Sequence, residues 1–263
     1  MNICKSILDL VGDTPLVRLN NIVEPSMATV LAKMENLNPT GSVKDRMAIN
    51  MVKRAEEEGL LKPGGTLVES TSGNTGLGLA MAAAAKGYRC IFSIPDKMSQ
   101  EKIDMLKAYG AEVIVTPTEL DHHHPDSYVE VAKRIARQTP NALYTDQYNN
   151  MSNPEAHYLT TGPEVWEATD GLIDSFVAGL GTGGTISGTG KYLKEKAMAA
   201  GREVRVVGPD PYGSIYHDAF YKGEWEDPGM YRVEGIGHDF MVGTLHISVI
   251  DEVVNVRDRD SSF

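Results

Sequence analysis

Asn38-Pro39-Thr40-Gly41-Ser42-Val43-Lys44-Asp45-Arg46 hands a turn over to a helix. Pro39 and Gly41 fix a loop, Ser42 is of the type that caps, and Val43 to Glu58 has the composition of a helix. Lys44 is therefore expected in the first helical turn, near free backbone N–H groups. Their partial positive charge disfavours an ammonium and lowers the pKa of the amine. An amine that gives up its proton readily is a nucleophile suited to condense with an aldehyde. The plainer reading is one more solvated surface lysine.

Outward from this stretch, short β-rich runs alternate with longer helical ones. Strands are expected at Ala28–Met34, Thr66–Glu69, Arg89–Ile94, Glu112–Thr116, Ala142–Tyr144, Ser175–Ala178 and Val204–Val207. Helices are expected at Val43–Glu58, Thr75–Lys86, Ser99–Tyr109, Ser127–Gln138, Glu155–Ala168 and Thr185–Ala199. This rhythm predicts an α/β fold, parallel sheets with helices on both faces. From Asp210 to Gly243 the rhythm stops, and Gly, Pro and aromatic residues suggest a functional loop region. The 263 residues leave room for one large domain or two smaller ones. A formal charge of −11 argues against non-specific binding to nucleic acid or anionic membranes, yet leaves open a small anion held by N–H groups. Cys4 and Cys90 cannot build a disulfide framework, the start lacks a signal-peptide core, and no apolar run reaches membrane-spanning length. A cytoplasmic protein is the expectation. The run His122-His123-His124 lies in a polar loop without further ligands and is not expected to hold a metal.

Two further stretches carry chemistry. Ser70-Thr71-Ser72-Gly73-Asn74-Thr75-Gly76 lies between a strand and an Ala-rich helix. It reads either as a nest of donors for a carboxylate or as a capping turn in which Gly76 and Gly78 permit close packing. Gly179-Leu180-Gly181-Thr182-Gly183-Gly184-Thr185 also joins a strand to a helix. Three readings stand there: a cup for a phosphate monoester, a dinucleotide fingerprint with Asp210 on a ribose hydroxyl, or a packing turn. A reactive lysine, a carboxylate nest and a monophosphate cup are together what a pyridoxal phosphate enzyme requires.

With the strings N-P-T-G-S-V-K-D-R, T-S-G-N-T-G and G-T-G-G-T in this order, the sequence resembles the fold-type II pyridoxal phosphate enzymes of the cysteine synthase and cystathionine β-synthase group. Asp146-Gln147-Tyr148, Ser152-Asn153-Pro154, His157-Tyr158, Thr160-Thr161 and Glu234-Gly235-Ile236-Gly237 with Asp239-Phe240 lean towards cystathionine β-synthase. The resemblance implies two parallel-sheet α/β domains of the tryptophan synthase β-like kind. Residues 1–40 with 145–263 would form a large cofactor-binding domain, and 41–144 a smaller substrate-loop domain. It implies that Lys44 holds pyridoxal 5'-phosphate as a Schiff base and later shuttles the α-proton, and that Asn74 bonds the cofactor ring oxygen. Gly181, Thr182, Gly183, Gly184 and Thr185 would bind its phosphate. Thr71, Ser72, Thr75 and Gln147 would hold the substrate carboxylate. Tyr148 and Gly235-Ile236-Gly237 would border the path of the second substrate. The implied reaction is β-replacement on serine by homocysteine, or on O-acetylserine by sulfide, in a homodimer that takes small amino-acid and thiol substrates.

The resemblance also sets an expectation at the end of the chain. Family members continue beyond a point equivalent to Phe263 and supply a serine for the cofactor's pyridine nitrogen. No candidate for it is apparent here, so a C-terminally truncated version of the fold is expected. Ser261 and Ser262 read as the cap of a helix that does not begin.

Overall fold

The computed structural model describes residues 3–24, 26–71, 73–118, 120 and 124–261. Ser72, His122 and His123, singled out above, lie outside the described residues. By internal contacts the chain divides into two compact units, Met1–Gln147 and Tyr148–Phe263. The expected grouping of 1–40 with 145–263 remains a proposal.

The first unit opens with β1 (Leu16–Arg18) and β2 (Leu31–Lys33), an antiparallel pair. Helix α1 (Lys44–Glu57) follows, burying Met47, Ala48, Met51, Val52 and Ala55. These positions recur at helical spacing and make one apolar stripe. The main sheet comprises β3 (Thr66–Ser70), β4 (Arg89–Pro95), β5 (Glu112–Thr116) and β6 (Ala142–Tyr144), all parallel, in the order β5-β4-β3-β6. Its connections are α2 (Asn74–Lys86), α3 (Gln100–Ala108) and α4 (Tyr128–Gln138). Ser99 and Ser127 cap α3 and α4 by accepting from Lys102 N and Glu130 N. Gly78 lets α1 and α2 meet: a Cβ there would stand 2.9 Å from Ala48 Cβ and 3.2 Å from Lys44 O.

The order of this sheet locates the site. The chain moves outward from β3 through β4 to β5, then returns to lay β6 on the other side of β3. The direction of winding therefore reverses between β3 and β6. At such a switch point the loops leaving the carboxyl ends of the two strands part and open a crevice. Those loops begin at Thr71 and at Thr145.

The second unit holds α5 (Ser152–Leu159), α6 (Thr161–Ala168), β7 (Ser175–Val177), α7 (Gly184–Ala199), β8 (Arg205–Pro211), α8 (Tyr216–Lys222) and β9 (Glu252–Val256), and ends in the turn α9 (Asp258–Ser261). Strands β7, β8 and β9 are parallel and adjacent in that order. Leu180, Ile186, Val206, Ile215, Tyr216, Val242, Leu245, Ile250 and Val253 share one core with Tyr148.

Three expectations need correction. Glu155–Ala168 is two helices, broken at Thr160, where φ is −125°. Pro163 explains the break, because an uninterrupted helix would set its ring against the carbonyl of residue 159 and leave it with no N–H to donate. Helix α8 interrupts the stretch read as irregular. Asp258–Ser261 is itself helical, so Ser261 ends a turn and does not cap one. No helix among the described residues is long and apolar enough to cross a membrane.

Candidate active site

Lys44 opens α1 one residue later than expected, with Val43 and not Ser42 at the N-cap, and its backbone N–H donates to Ser42 Oγ at 3.2 Å. Its ammonium has no hydrogen bond or ion pair among the described residues. The pKa is lowered, as expected, but burial is the cause, where the sequence had suggested the field of the helix terminus. A desolvated amine without a counter-ion is driven towards its neutral, nucleophilic form.

The groups that fix Lys44 in place come from its own motif and, beyond it, from Thr14 and Glu35. Asp45 and Arg46, its neighbours, are 0% and 3% exposed. Asp45 accepts from the Thr40 N–H at 2.8 Å and also from the Thr40 hydroxyl, which closes the turn over the helix start. Arg46 grips the Glu35 carboxylate through Nε and Nη2, both at 2.7 Å, and Nη2 reaches Thr14 Oγ1 at 3.1 Å. Asn38 Nδ2 donates to Glu35 Oε2 at 2.8 Å. Burial alone would raise the Glu35 carboxyl, but Arg46, Thr14 and Asn38 outweigh it and hold the pKa below its ordinary value. Glu35 thus contributes stability above its ordinary pKa that is lost as pH falls through the lowered one. Arg46→Met is expected to cost about 1–3 kcal/mol near neutrality, since it leaves a half-buried carboxylate without its cation. Urea unfolding at pH 7 measures that loss, and the difference from wild type should shrink on acidification as Glu35 takes up a proton.

The switch-point loops carry the residues read in the sequence as a carboxylate nest. Thr71 Oγ1 accepts from Gly73 N at 3.1 Å and from Gly76 N at 3.2 Å, shaping the entrance to α2. Thr75 donates its hydroxyl to Gln147 Oε1 at 2.6 Å, and Gln147 Nε2 donates to Ser70 O at 2.9 Å. Thr75 and Gln147 are thus joined directly, and Thr71 shapes the helix entrance beside them. The N–H groups of Asn74 and Thr75 donate to no described residue, and the Asn74 side chain is exposed at the head of the helix. Sequence reading missed Glu69, fully buried in β3, which lies under this arrangement. A lone acid among the apolar residues of Thr66-Leu67-Val68-Glu69-Ser70 was the available signal, because an unpaired carboxylate is seldom buried without a task.

In the second unit, the loop after β7 leads into α7, 16 residues long. Among the described residues, the N–H groups of Gly181, Thr182, Gly183, Gly184 and Thr185 all lack an acceptor. Gly183 has φ +80°, and a Cβ on it would come within 2.5 Å of Leu245 Cβ. Thr182 Oγ1 accepts from Asn153 Nδ2 at 3.1 Å, and Thr185 Oγ1 lies 3.2 Å from the Nε2 of the fully buried His157. Asn153 and His157 belong to strings that in sequence merely leaned towards one branch of the family. The structure shows them supporting the loop. Gly235 lies over it: a Cβ on Gly181 would approach the Gly235 carbonyl oxygen to 2.6 Å, and Gly237 N donates to Leu180 O. Tyr148 packs edge-on against His238 and Phe240, at 5.0 and 5.2 Å between ring centres. Asp210 is not available to a ribose. It is fully buried, and its Oδ2 accepts from His217 N at the start of α8.

A strand-to-helix loop whose N–H groups have no acceptor among the described residues, a helix entrance at a sheet switch point and a desolvated lysine are features that an enzyme of the vitamin B6 type uses. The chain belongs to the family described as pyridoxal-phosphate dependent enzymes, whose pattern matches residues 7–261. It is 48% identical over 261 residues to a cystathionine beta-synthase of Apis mellifera, a match covering 98% of this chain and 51% of that protein. It is 45% identical over 264 residues to a probable cysteine synthase of Bacillus subtilis (strain 168), covering 99% of this chain and 81% of that protein. Among solved structures it resembles a hydrogen sulfide-producing enzyme from Fusobacterium nucleatum, with a TM-score of 0.88 and 33% identity over 99% of this chain and 82% of that one. The chain spans about half the length of the cystathionine beta-synthases it matches, 46–51%.

The residues present fit the family's cofactor. Its aldehyde calls for an unprotonated amine, and Lys44 is desolvated with no partner among the described residues. Its phosphate calls for several convergent donors, and the loop 181–185 offers backbone N–H groups that no other group of the described protein uses.

Proposed function

We propose that this chain catalyses β-replacement on L-serine with homocysteine as the thiol, forming cystathionine. The observation that carries the reading is the half-buried Lys44 amine at the head of α1, desolvated and without a partner among the described residues. The names of the relatives and the strings from Asp146 to Tyr148 and from Glu234 to Gly237 support the choice of substrates.

The residues would divide the work as follows. Lys44 would hold the cofactor through its aldehyde, and its amine would take the proton from the substrate α-carbon. Hydroxide leaves poorly and must be protonated as it departs, a task for which Lys44 is again the group at hand. Asn74 holds the cofactor ring oxygen, and Gly181, Thr182, Gly183, Gly184 and Thr185 grip the phosphate through N–H groups. Thr71, Ser72, Thr75 and Gln147 orient the substrate carboxylate, with the N–H groups of Asn74 and Thr75 beside them. Tyr148 and Gly235 border the path of the thiol. When bound, the cofactor supplies an electron sink for the carbanion at the α-carbon. We place the enzyme in the cytoplasm as a homodimer.

The second reading is a cysteine synthase that uses O-acetylserine and sulfide, favoured by the Bacillus subtilis relative. Initial rates decide between them. The proposal expects a higher kcat/KM for cystathionine from serine and homocysteine than for cysteine from O-acetylserine and sulfide. The reverse order would replace the first reading with the second.

A further inference from the structure

Glu69 sits at the carboxyl end of β3 with both oxygens engaged. Oε2 accepts from Thr145 Oγ1 at 2.6 Å and from Gln147 N at 3.0 Å. Oε1 accepts from Ser70 N at 2.9 Å and from Ser70 Oγ at 3.3 Å. The N–H groups of Ser70 and Gln147 can only donate, one to each oxygen, and both hydroxyls are placed to donate as well, so the arrangement suits an ionised carboxylate. A protonated acid must itself donate, which turns one of these contacts into a clash of hydrogens or forces a hydroxyl to rotate away. The loop it holds is the one that presents Gln147, whose side chain is braced between Thr75 and Ser70.

We infer that Glu69 is the positioning residue of the carboxylate nest: ionised, it fixes the Thr145–Gln147 loop, and uptake of one proton releases it. This inference rests on the reading of Thr71, Thr75 and Gln147 as the substrate-carboxylate subsite. Proton uptake falls in an accessible range, because burial lifts the Glu69 pKa to about 7, with the charge of Asp146 adding to the rise and the bonds from Thr145, Gln147 and Ser70 opposing it. Tyr144 and Asp146 face Glu69 from the β6 side, and Ser70 Oγ lies 2.8 Å from the Tyr144 hydroxyl. Tyr128 of α4 bears on Tyr144. On β4 the register partner is Phe92. Helix α2 carries one charged residue, Lys86, paired with Glu56 at its far end. Asp146 and Tyr144 are thus the titratable groups that set the environment of Glu69, and Tyr144, raised well above its ordinary value, stays neutral throughout this range.

The test is a spectroscopic titration of the cofactor-loaded enzyme with L-serine from pH 6 to pH 8.5. In the wild type, the dissociation constant for L-serine should rise about tenfold between pH 8 and pH 6, the change expected when only the ionised form binds and the midpoint is near 7. Glu69→Gln cannot titrate at this position. It should bind L-serine weakly at every pH, lack the tenfold component centred near 7, and keep undiminished cofactor content. Thr145→Val removes one bond that favours the carboxylate and leaves the acid in place, so its midpoint should move to higher pH. Lys44 and the amine of serine titrate in all three proteins, so the differences among the profiles isolate Glu69. A Glu69→Gln profile that keeps the wild-type pH dependence overturns the inference. Should that variant fail to fold, an unshifted midpoint in Thr145→Val overturns it equally. A wild-type enzyme that responds to L-serine with no pH dependence near 7 overturns the Glu69 assignment alone. No response to L-serine at any pH overturns the parent reading and the inference with it.

Discussion

Lys44→Ala is expected to lower the turnover of β-replacement at least about 1,000-fold, because one side chain supplies both the covalent attachment and the proton transfer at the α-carbon. The fold should survive. Lys44 makes no bond through its ammonium among the described residues, and the clamp formed by Asp45, Arg46, Glu35 and Thr40 does not depend on it. The variant should even gain stability as the apo protein at neutral pH. A lysine whose pKa is lowered by burial binds its proton less tightly folded than unfolded. Wild-type stability therefore rises with pH through the window between the lowered value and the ordinary 10.5. Lys44→Ala should abolish that slope. Circular dichroism in urea, followed from pH 7 to pH 10 on wild type and variant, checks it alongside initial rates. Retention of more than a tenth of wild-type turnover would remove Lys44 from the chemistry.

The second large effect is expected at Gly183. Alanine there must adopt φ near +80° and place its Cβ 2.6 Å from Leu245 Cα. The backbone conformation costs roughly 1–2 kcal/mol and the overlap about 1–3 kcal/mol. The loop can relieve both only by moving, which scatters the N–H groups of Gly181 to Thr185 away from convergence. A weakening of cofactor binding by about 100-fold corresponds to about 3 kcal/mol. Gly201→Ala is the control, since it shares a positive φ of +68° but has nothing within 4 Å of the added carbon. It should lose a little stability and keep full cofactor affinity. Equal cofactor affinity in the two variants, measured by fluorescence titration of the apo proteins, would detach the loop from phosphate binding.

Much of this architecture is legible along the chain because it is local. Ser99 and Ser127 announce the starts of α3 and α4 by capping them, and the runs that become β5 and β6 stand between clear helical segments. The turn into α1 and the glycines before α7 can likewise be read from a few consecutive residues. What escaped reading is non-local. Strand β1 has three residues and little pattern of its own, and it forms because β2 pairs with it. The break at Thr160 is the exception: Pro163, three residues on, was a local signal passed over within a stretch whose composition is helical on both sides. The hold on Lys44 joins Thr14, Glu35 and Arg46, which no sequence spacing connects. Glu69 became meaningful once β6 was seen to lie beside β3, since that pairing brings Thr145 and Gln147 to its carboxylate.

The account depends on a covalent bond between the Lys44 amine and the cofactor aldehyde. Borohydride reduction of the cofactor-saturated protein, followed by proteolysis and peptide mass mapping, tests it directly. The account predicts a phosphopyridoxyl group on the peptide that contains Lys44, at near-stoichiometric yield. An unmodified Lys44 peptide, with the label on another lysine or on none, would contradict it.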